Sequence, residues 1–306
     1  MSTYRFIQVH LPSYPVKRLC HLFEIATSSY YAWQKTATAA TATAAATATI
    51  APKSETWEQA LERLFVAHHG RYGARRLRAD LQEAGYAVGR YRVGKALTRL
   101  ALKARQPRAF KPRTTFSETG PGLAPNRLLN HPKPTAPDQV WVSDITYLPL
   151  KNGTWTYLAA YSDVFTRRVV GWHVMETMPE ELVRTALHRA ILLRQPAAGL
   201  IVHSDRGGQY CAANVRKLLA GKGFLASMSR AGDCYDNAQA ESLWSRLKTE
   251  LLPEGQAFEN LAHAQQEVAT YFDYYNHLRR HSALGYQCPQ TFENHLHKQN
   301  TTKCPA

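Results

Sequence analysis

Three carboxylates in this chain stand where a divalent cation would use them. Asp144 lies inside the apolar run Val140-Trp141-Val142-Ser143-Asp144-Ile145. Asp205 follows a short apolar stretch in His203-Ser204-Asp205-Arg206-Gly207-Gly208, and Glu241 sits in a helical stretch that begins near Asn237. An ionised aspartate within an apolar strand is costly unless something pairs with it, and a metal ion would supply that pairing. Magnesium favours carboxylate and phosphate oxygens. Two such ions, roughly 3.5–4 Å apart, activate an attacking oxygen and stabilise a leaving one in an in-line phosphoryl displacement. Taken singly, each carboxylate reads more readily as structural; their joint placement at a strand, a strand end and a helix start points to chemistry. Asn237, Glu241, Trp244, Ser245 and Lys248 share one helical face by i, i+4 and i+7 spacing. Lys248 therefore stands two turns beyond Glu241, on the side where a phosphate would lie.

The elements that must hold these groups can be read from periodicity. Gln139 to Leu150 alternates as a strand, Lys151-Asn152-Gly153-Thr154 predicts a type I′ hairpin turn, and Trp155 to Tyr161 returns. Arg168 to Val174 is a third strand. Pro179 opens a helix whose Leu182, Val183, Ala186, Leu187, Ala190 and Ile191 share a face, and Gln195-Pro196 ends it. Leu200 to His203 is a short buried strand, Asn214 to Ala220 a helix, Phe224 to Met228 a fifth strand, and Asn237 to Leu251 a long helix. The order βββαβαβα describes a mixed α/β sheet domain, and strand ends with adjacent helix starts are where sites assemble in such sheets.

The chain has 306 residues, 44% of them hydrophobic, enough for about two domains. Its net charge of +15 favours a polyanionic partner, nucleic acid above all. No stretch is apolar over the roughly 18 residues that a membrane span needs, and Met1 to Pro12 lacks the pattern of a signal peptide. Five cysteines, Cys20, Cys211, Cys234, Cys288 and Cys304, form no C-x-x-C pair. That argues against a disulfide framework or a structural zinc site and fits a reducing cytoplasm.

Ahead of the sheet region the chain reads as helical. Val16, Leu19, Cys20 and Phe23 share a face, and Tyr30, Tyr31 and Trp33 follow. Thr36 to Thr49 contains only Ala and Thr, offers no anchor for a core, and reads as a linker. Helical period returns with Trp57, Leu61, Leu64 and Phe65, then Leu77 and Leu81 before Gly85, then Val93, Leu97 and Leu100. The third helix carries Arg90, Arg92, Lys95 and Arg99 on its outer face. Three short helices with a basic last one describe a helix-turn-helix module whose last helix enters a DNA major groove; a plain bundle with a solvated charged face is the competing reading. Ala109 to Pro137, rich in Pro, Lys and Arg, reads as an extended linker able to follow a phosphate backbone.

The motifs resemble a known family. Trp141-Val142-Ser143-Asp144-Ile145-Thr146-Tyr147, His203 to Tyr210, and Asp233 to Ser242 resemble the three catalytic motifs of retroviral-integrase-like transposases, and Lys248 matches that family's basic residue after the glutamate. Thirty-five residues separate Asp205 from Glu241, the spacing of the D,D-35-E class. Tyr274-Tyr275-Asn276 with Arg279-Arg280-His281-Ser282-Ala283-Leu284-Gly285-Tyr286 resembles the C-terminal signature of OrfB-type insertion-sequence transposases, and Gly70-Arg71-Tyr72-Gly73 to Leu102 resembles their helix-turn-helix segment.

The resemblance implies an RNase H-like mixed-sheet catalytic domain preceded by an all-α helix-turn-helix region. The expected division is a helical unit (1–35), the Ala/Thr linker (36–52), the helix-turn-helix domain (53–106), the basic linker (107–137), the catalytic domain (138–252) and a C-terminal helical extension (253–306). It further implies metal ligation by Asp144, Asp205 and Glu241, two Mg²⁺ per site with Mn²⁺ able to substitute, hydrolysis that frees a DNA 3′-hydroxyl at an element end, and strand transfer by that hydroxyl. The expected partners are double-stranded element ends and target DNA, further copies of the chain on DNA, and an upstream-frame OrfA product or fusion. Lys248 and Arg206 are candidate phosphate contacts. Asn237 either caps its helix or bonds near the site, Asp163 reads as a turn residue, His203 as a structural strand-end residue, and Trp244 as core more readily than as a base-stacking platform. Two other readings remain: a non-catalytic DNA-binding regulator of element ends, and a nuclease that only hydrolyses.

Overall fold

The computed structural model describes residues 16–17, 20, 23, 25–34, 55–106, 123–129, 131–230, 234–252 and 256–302. The Ala/Thr tract and Asp233 lie outside the described residues. The chain divides into two compact units, Met1–Gln106 and Pro107–Ala306.

In the first unit, residues 27–34 are helical and Cys20, Phe23 and Tyr30 are buried. Three helices follow: α1 (Trp57–Ala67), α2 (Ala74–Glu83) and α3 (Arg90–Arg99). A capping box starts α1: Thr56 Oγ1 accepts from Gln59 N, and the Gln59 side chain accepts from Thr56 N at 2.8 Å. Leu61, Leu77, Leu81, Val93 and Leu97 from the three helices are buried. Gly89 precedes α3 in extended conformation and makes no side-chain capping bond.

The second unit is built on a five-stranded sheet in the order β3-β2-β1-β4-β5. The strands are β1 (Val140–Pro149), β2 (Trp155–Asp163), β3 (Val169–Met175), β4 (Ile201–Ser204) and β5 (Leu225–Met228). β1 to β3 form an antiparallel meander, while β4 and β5 run parallel to β1. The connecting helices are α4 (Glu180–Arg194), the single turn α5 (Gly208–Cys211), α6 (Ala213–Gly221), α7 (Ala238–Leu251), α8 (Leu261–His277) and α9 (Pro289–Thr302). This is the RNase H-like arrangement, with α7 following the sheet.

Side-chain alternation along the strands divides the core between two faces. Trp141, Ala159, Tyr161 and Val170 meet α4 and α6 on one face. All six apolar positions predicted on α4, from Leu182 to Ile191, are buried there. Gly171 on β3 lets α4 come close, since a Cβ at that position would stand 2.4 Å from the Ala186 carbonyl oxygen. The opposite face receives α7 and α8: Trp172 packs on Phe272, and Gln265 Nε2 donates to Val174 O at 3.2 Å.

Two local expectations are corrected. The β1–β2 turn is not type I′, because only Gly153 of its residues has a positive φ, +84°. Gly153 N donates to Leu150 O and Asn152 Oδ1 accepts from Thr154 N at 3.0 Å, which makes a three-residue loop with glycine at its left-handed position. In the basic segment, residues 123–129 lie along β5 rather than standing free. Arg127 N donates to Ser227 Oγ at 2.9 Å and its Nε to Ala226 O at 3.1 Å. Residues 107–122 lie outside the described residues. No described helix is long and apolar enough to cross a membrane.

Candidate active site

The register of the sheet brings two of the carboxylates together. β1 pairs parallel to β4 with Val142 opposite His203. Two residues further on stand Asp144, within β1, and Asp205, just past the end of β4. Asp144 points to the α7 face. Its Oδ1 accepts from Ile145 N at 2.8 Å and its Oδ2 from Trp244 Nε1 at 3.0 Å. Burial pushes its pKa up to about 7, and the charges of Asp205 and Glu241 add to the rise against the two hydrogen bonds. Burial also raises Asp205, opposed by the Gly207 N–H that donates to its Oδ1 at 3.1 Å. Glu241 stands on the exposed first turn of α7, and partial burial of its carboxyl raises its pKa.

This donor chemistry suits a hard divalent cation: three carboxylates, two of them half-buried and repelling each other, gain from a positive charge between them. Among the described residues, no three His, Cys, Asp or Glu side chains stand close enough together to hold a metal ion. Asp144 and Asp205 are the pair that fits, and Glu241 is the outlying third donor. Lys248 is exposed overall; protein around its ammonium lowers its pKa, and the charge of Asp144 works in the other direction.

A buried polar frame surrounds the carboxylates. Asn237 precedes α7 but makes no side-chain cap; its Nδ2 donates to Ser143 O at 3.0 Å, which resolves its two sequence readings in favour of a bond beside the site. Ser143 Oγ and Tyr210 OH share a hydrogen bond of 2.8 Å. His203 is buried between Ser227 Oγ and Ser229 Oγ, and burial pushes its pKa down to about 4, so it stays neutral. Arg206 Nε donates to Ser229 O at 2.7 Å and is thereby tied to the segment after β5. Asp163 is a turn anchor: it accepts from Thr166 N and from Asp138 N, each at 2.7 Å. Trp244 is core, as its helix position suggests, yet its indole reaches Asp144, a contact that helical spacing alone does not reveal.

The candidate groove residues Arg90, Arg92, Lys95 and Arg99 belong to the first unit, and all four are exposed on α3. Their environments differ. Arg92 lies 5.3 Å over the Trp57 ring, Lys95 lies 4.8 Å over Tyr91, and Arg99 pairs with Glu58 of α1. Tyr91, 73% exposed on the first turn of α3, was not singled out by charge patterning.

Comparison with known proteins gives consistent matches across the chain. Integrase core domain models match residues 134–234 and 222–289, and an HTH-like domain model matches residues 54–110. A 31 kDa protein of insertion element IS600 from Shigella sonnei is 38% identical over 92% of this chain and 99% of its own length. The transposase of insertion sequence IS904 from Lactococcus lactis is 40% identical over 79% of this chain and 94% of its own. Transposase InsF of IS3A from Escherichia coli is 34% identical over 95% and 98%.

Proposed function

Because the chain belongs to the insertion-sequence transposases that carry an integrase core, we propose that it cleaves DNA at its element's ends to free a 3′-hydroxyl and then joins that hydroxyl to a second strand. The observation that carries this reading is the pair of half-buried carboxylates, Asp144 on β1 and Asp205 just past the end of the adjacent parallel β4, with Asp144 electrostatically linked to Asp205, Glu241 and Lys248. Asp144, Asp205 and Glu241 would hold Mg²⁺, or Mn²⁺ in its place. When bound, the metal lowers the barrier by activating the attacking oxygen and stabilising the leaving one.

The chain's own residues do the rest. No side-chain nucleophile is needed, because water attacks in cleavage and the freed DNA hydroxyl attacks in joining. Lys248, whose ammonium feels the charge of Asp144, would contact a non-bridging phosphate oxygen. Arg206, held at its Nε, keeps its terminal nitrogens for a second phosphate contact. Asn237 and the Ser143–Tyr210 pair fix the β1 backbone on which Asp144 stands. In the first unit, α3 would enter a major groove of the element end with Arg90, Arg92, Lys95 and Arg99 on its exposed side. Pairing two ends calls for at least two copies on DNA, and an OrfA product or fusion would supply a further end-binding module.

The test is a labelled duplex carrying the element's terminal sequence, incubated with Mg²⁺ and either the wild-type chain or Glu241→Gln. Cleavage or joining by the wild type, lost in the variant while duplex binding persists, is the expected result. Activity that survives the substitution removes Glu241 from the site. Tight binding by both proteins without any cleavage favours a non-catalytic role at element ends.

A further inference from the structure

We propose that Trp244 is a positioning residue for the metal site: its indole N–H fixes the orientation of the Asp144 carboxylate and ties the helix carrying Glu241 to the strand carrying Asp144. The proposal rests on the reading of Asp144 as a metal ligand and goes beyond it.

Trp244 lies three residues after Glu241, one turn further along α7, and is only 6% exposed. A buried indole N–H needs an acceptor. It finds Asp144 Oδ2 at 3.0 Å, an ionisable oxygen 100 residues away in the chain. The other oxygen, Oδ1, is held by the neighbouring Ile145 N–H at 2.8 Å, which belongs to the same strand. Each carboxylate oxygen has two lone pairs, so each donor uses one and leaves one directed elsewhere. The carboxylate is thus held at both ends, by β1 itself and by α7, with accepting capacity left over for a cation. Of these two donors only the indole joins the two elements. A phenylalanine would fill much of the same core volume and lack the N–H. Groups that orient a ligand in this way commonly change metal affinity or activity by about 10- to 100-fold when removed.

The experiment uses the full chain and Mn²⁺ as the probe, with free Mn²⁺ read by electron paramagnetic resonance in the absence of DNA. Trp244→Phe should weaken Mn²⁺ binding about 10- to 100-fold, while metal-free binding to element-end DNA stays within about twofold of wild type. A purely structural role would not separate those two readouts. In ¹⁵N-tryptophan-labelled wild type, the Trp244 indole signal should move when Mg²⁺ is added and stay in place in Asp144→Asn. That signal is identified by its loss in Trp244→Phe or, should this variant not fold, by exclusion with Phe substitutions at the other five tryptophans. Wild-type Mn²⁺ affinity in Trp244→Phe, with binding lost in Asp144→Asn, overturns the proposal and leaves Asp144 as a ligand. An indole signal indifferent to Mg²⁺ overturns it as well. Wild-type affinity in Asp144→Asn removes Asp144 from the metal site, and the role of Trp244 falls with it.

Discussion

Replacing Asp144 with asparagine should make the metal-free protein more stable at pH 8 while changing its stability by no more than about 1 kcal/mol in either direction at pH 5. The folded protein holds the Asp144 carboxyl at about 7 against an ordinary value of 3.8. A carboxyl whose pKa is raised on folding binds its proton more tightly in the native state, so stability falls as pH rises between those two values. Above pH 7 the full difference is lost, about 4 kcal/mol; at pH 5 the loss is about 2 kcal/mol. Asparagine removes this charge penalty at every pH. It also removes an acceptor, because Ile145 N and Trp244 Nε1 each donate to a different oxygen of Asp144 and the amide has only one. Leaving one buried donor unpaired costs about 1–3 kcal/mol. The balance is about +1 to +3 kcal/mol in favour of the variant at pH 8 and about −1 to +1 kcal/mol at pH 5. Urea unfolding of both proteins at the two pH values, with a chelator present, measures it. A stability difference that does not change with pH, or one that favours the variant more at pH 5, would refute the assignment of Asp144 as a carboxyl raised by its desolvated surroundings and, to a lesser degree, by its acidic neighbours.

Two further substitutions test the frame around the site. Arg279, 1% exposed, donates to both Glu250 oxygens through Nε and Nη2; Arg279→Met should destabilise the chain by about 3–5 kcal/mol by leaving a buried carboxylate without its main counter-charge. Arg279→Met combined with Glu250→Met should recover most of that loss in the same urea experiment, and a double variant as unstable as the single one would contradict the ion-pair account. Gly171→Ala pushes a Cβ to 2.4 Å from the Ala186 oxygen and 2.6 Å from Ala190 Cβ, so calorimetry should show a loss of about 3 kcal/mol. An unchanged melting temperature would mean that α4 does not pack against β3 as closely as described.

The sequence was most informative where a local rule governs the outcome. The apolar face of α4 follows from helical period, and Asp205 lies beyond β4 because the apolar run ends at His203. It was least informative where the partner is distant. Nothing near Trp244 signals that its N–H meets an aspartate on another element, and spacing marks it only as core. Nothing in the sequence pairs Arg279 with Glu250, 29 residues away, yet the fold brings the two together. The turn type failed for a different reason: Asn-Gly permits a two-residue I′ turn, but the hydrogen bond from Gly153 N to Leu150 O selects the longer loop. The 123–129 segment has no periodicity because it docks through backbone groups and isolated side chains, which leave no repeating pattern.

These distant contacts give the C-terminal signature a physical role despite its separation in sequence from the carboxylates. Asn276 bonds both the N–H and the carbonyl of Val169 at 2.9 Å, seating the end of α8 on β3. Tyr271 OH, from the same helix, donates to Glu250 Oε2 at 3.1 Å, and Arg279 just beyond it completes the grip on that carboxylate. Glu250 lies near the far end of α7, nine residues and about 14 Å of helix beyond Glu241. The helix is therefore held at three levels: by Asn237 to Ser143 before its first turn, by Trp244 to Asp144 in its middle, and by Glu250 to Arg279 near its end. Over that length, a tilt of about 10° about one end displaces the other by about 2 Å, and misplacement of about 1 Å can already cost 100-fold in rate. A signature far from the carboxylates in sequence can thus bear on the proposed site by setting the angle of the helix that carries Glu241 and Lys248.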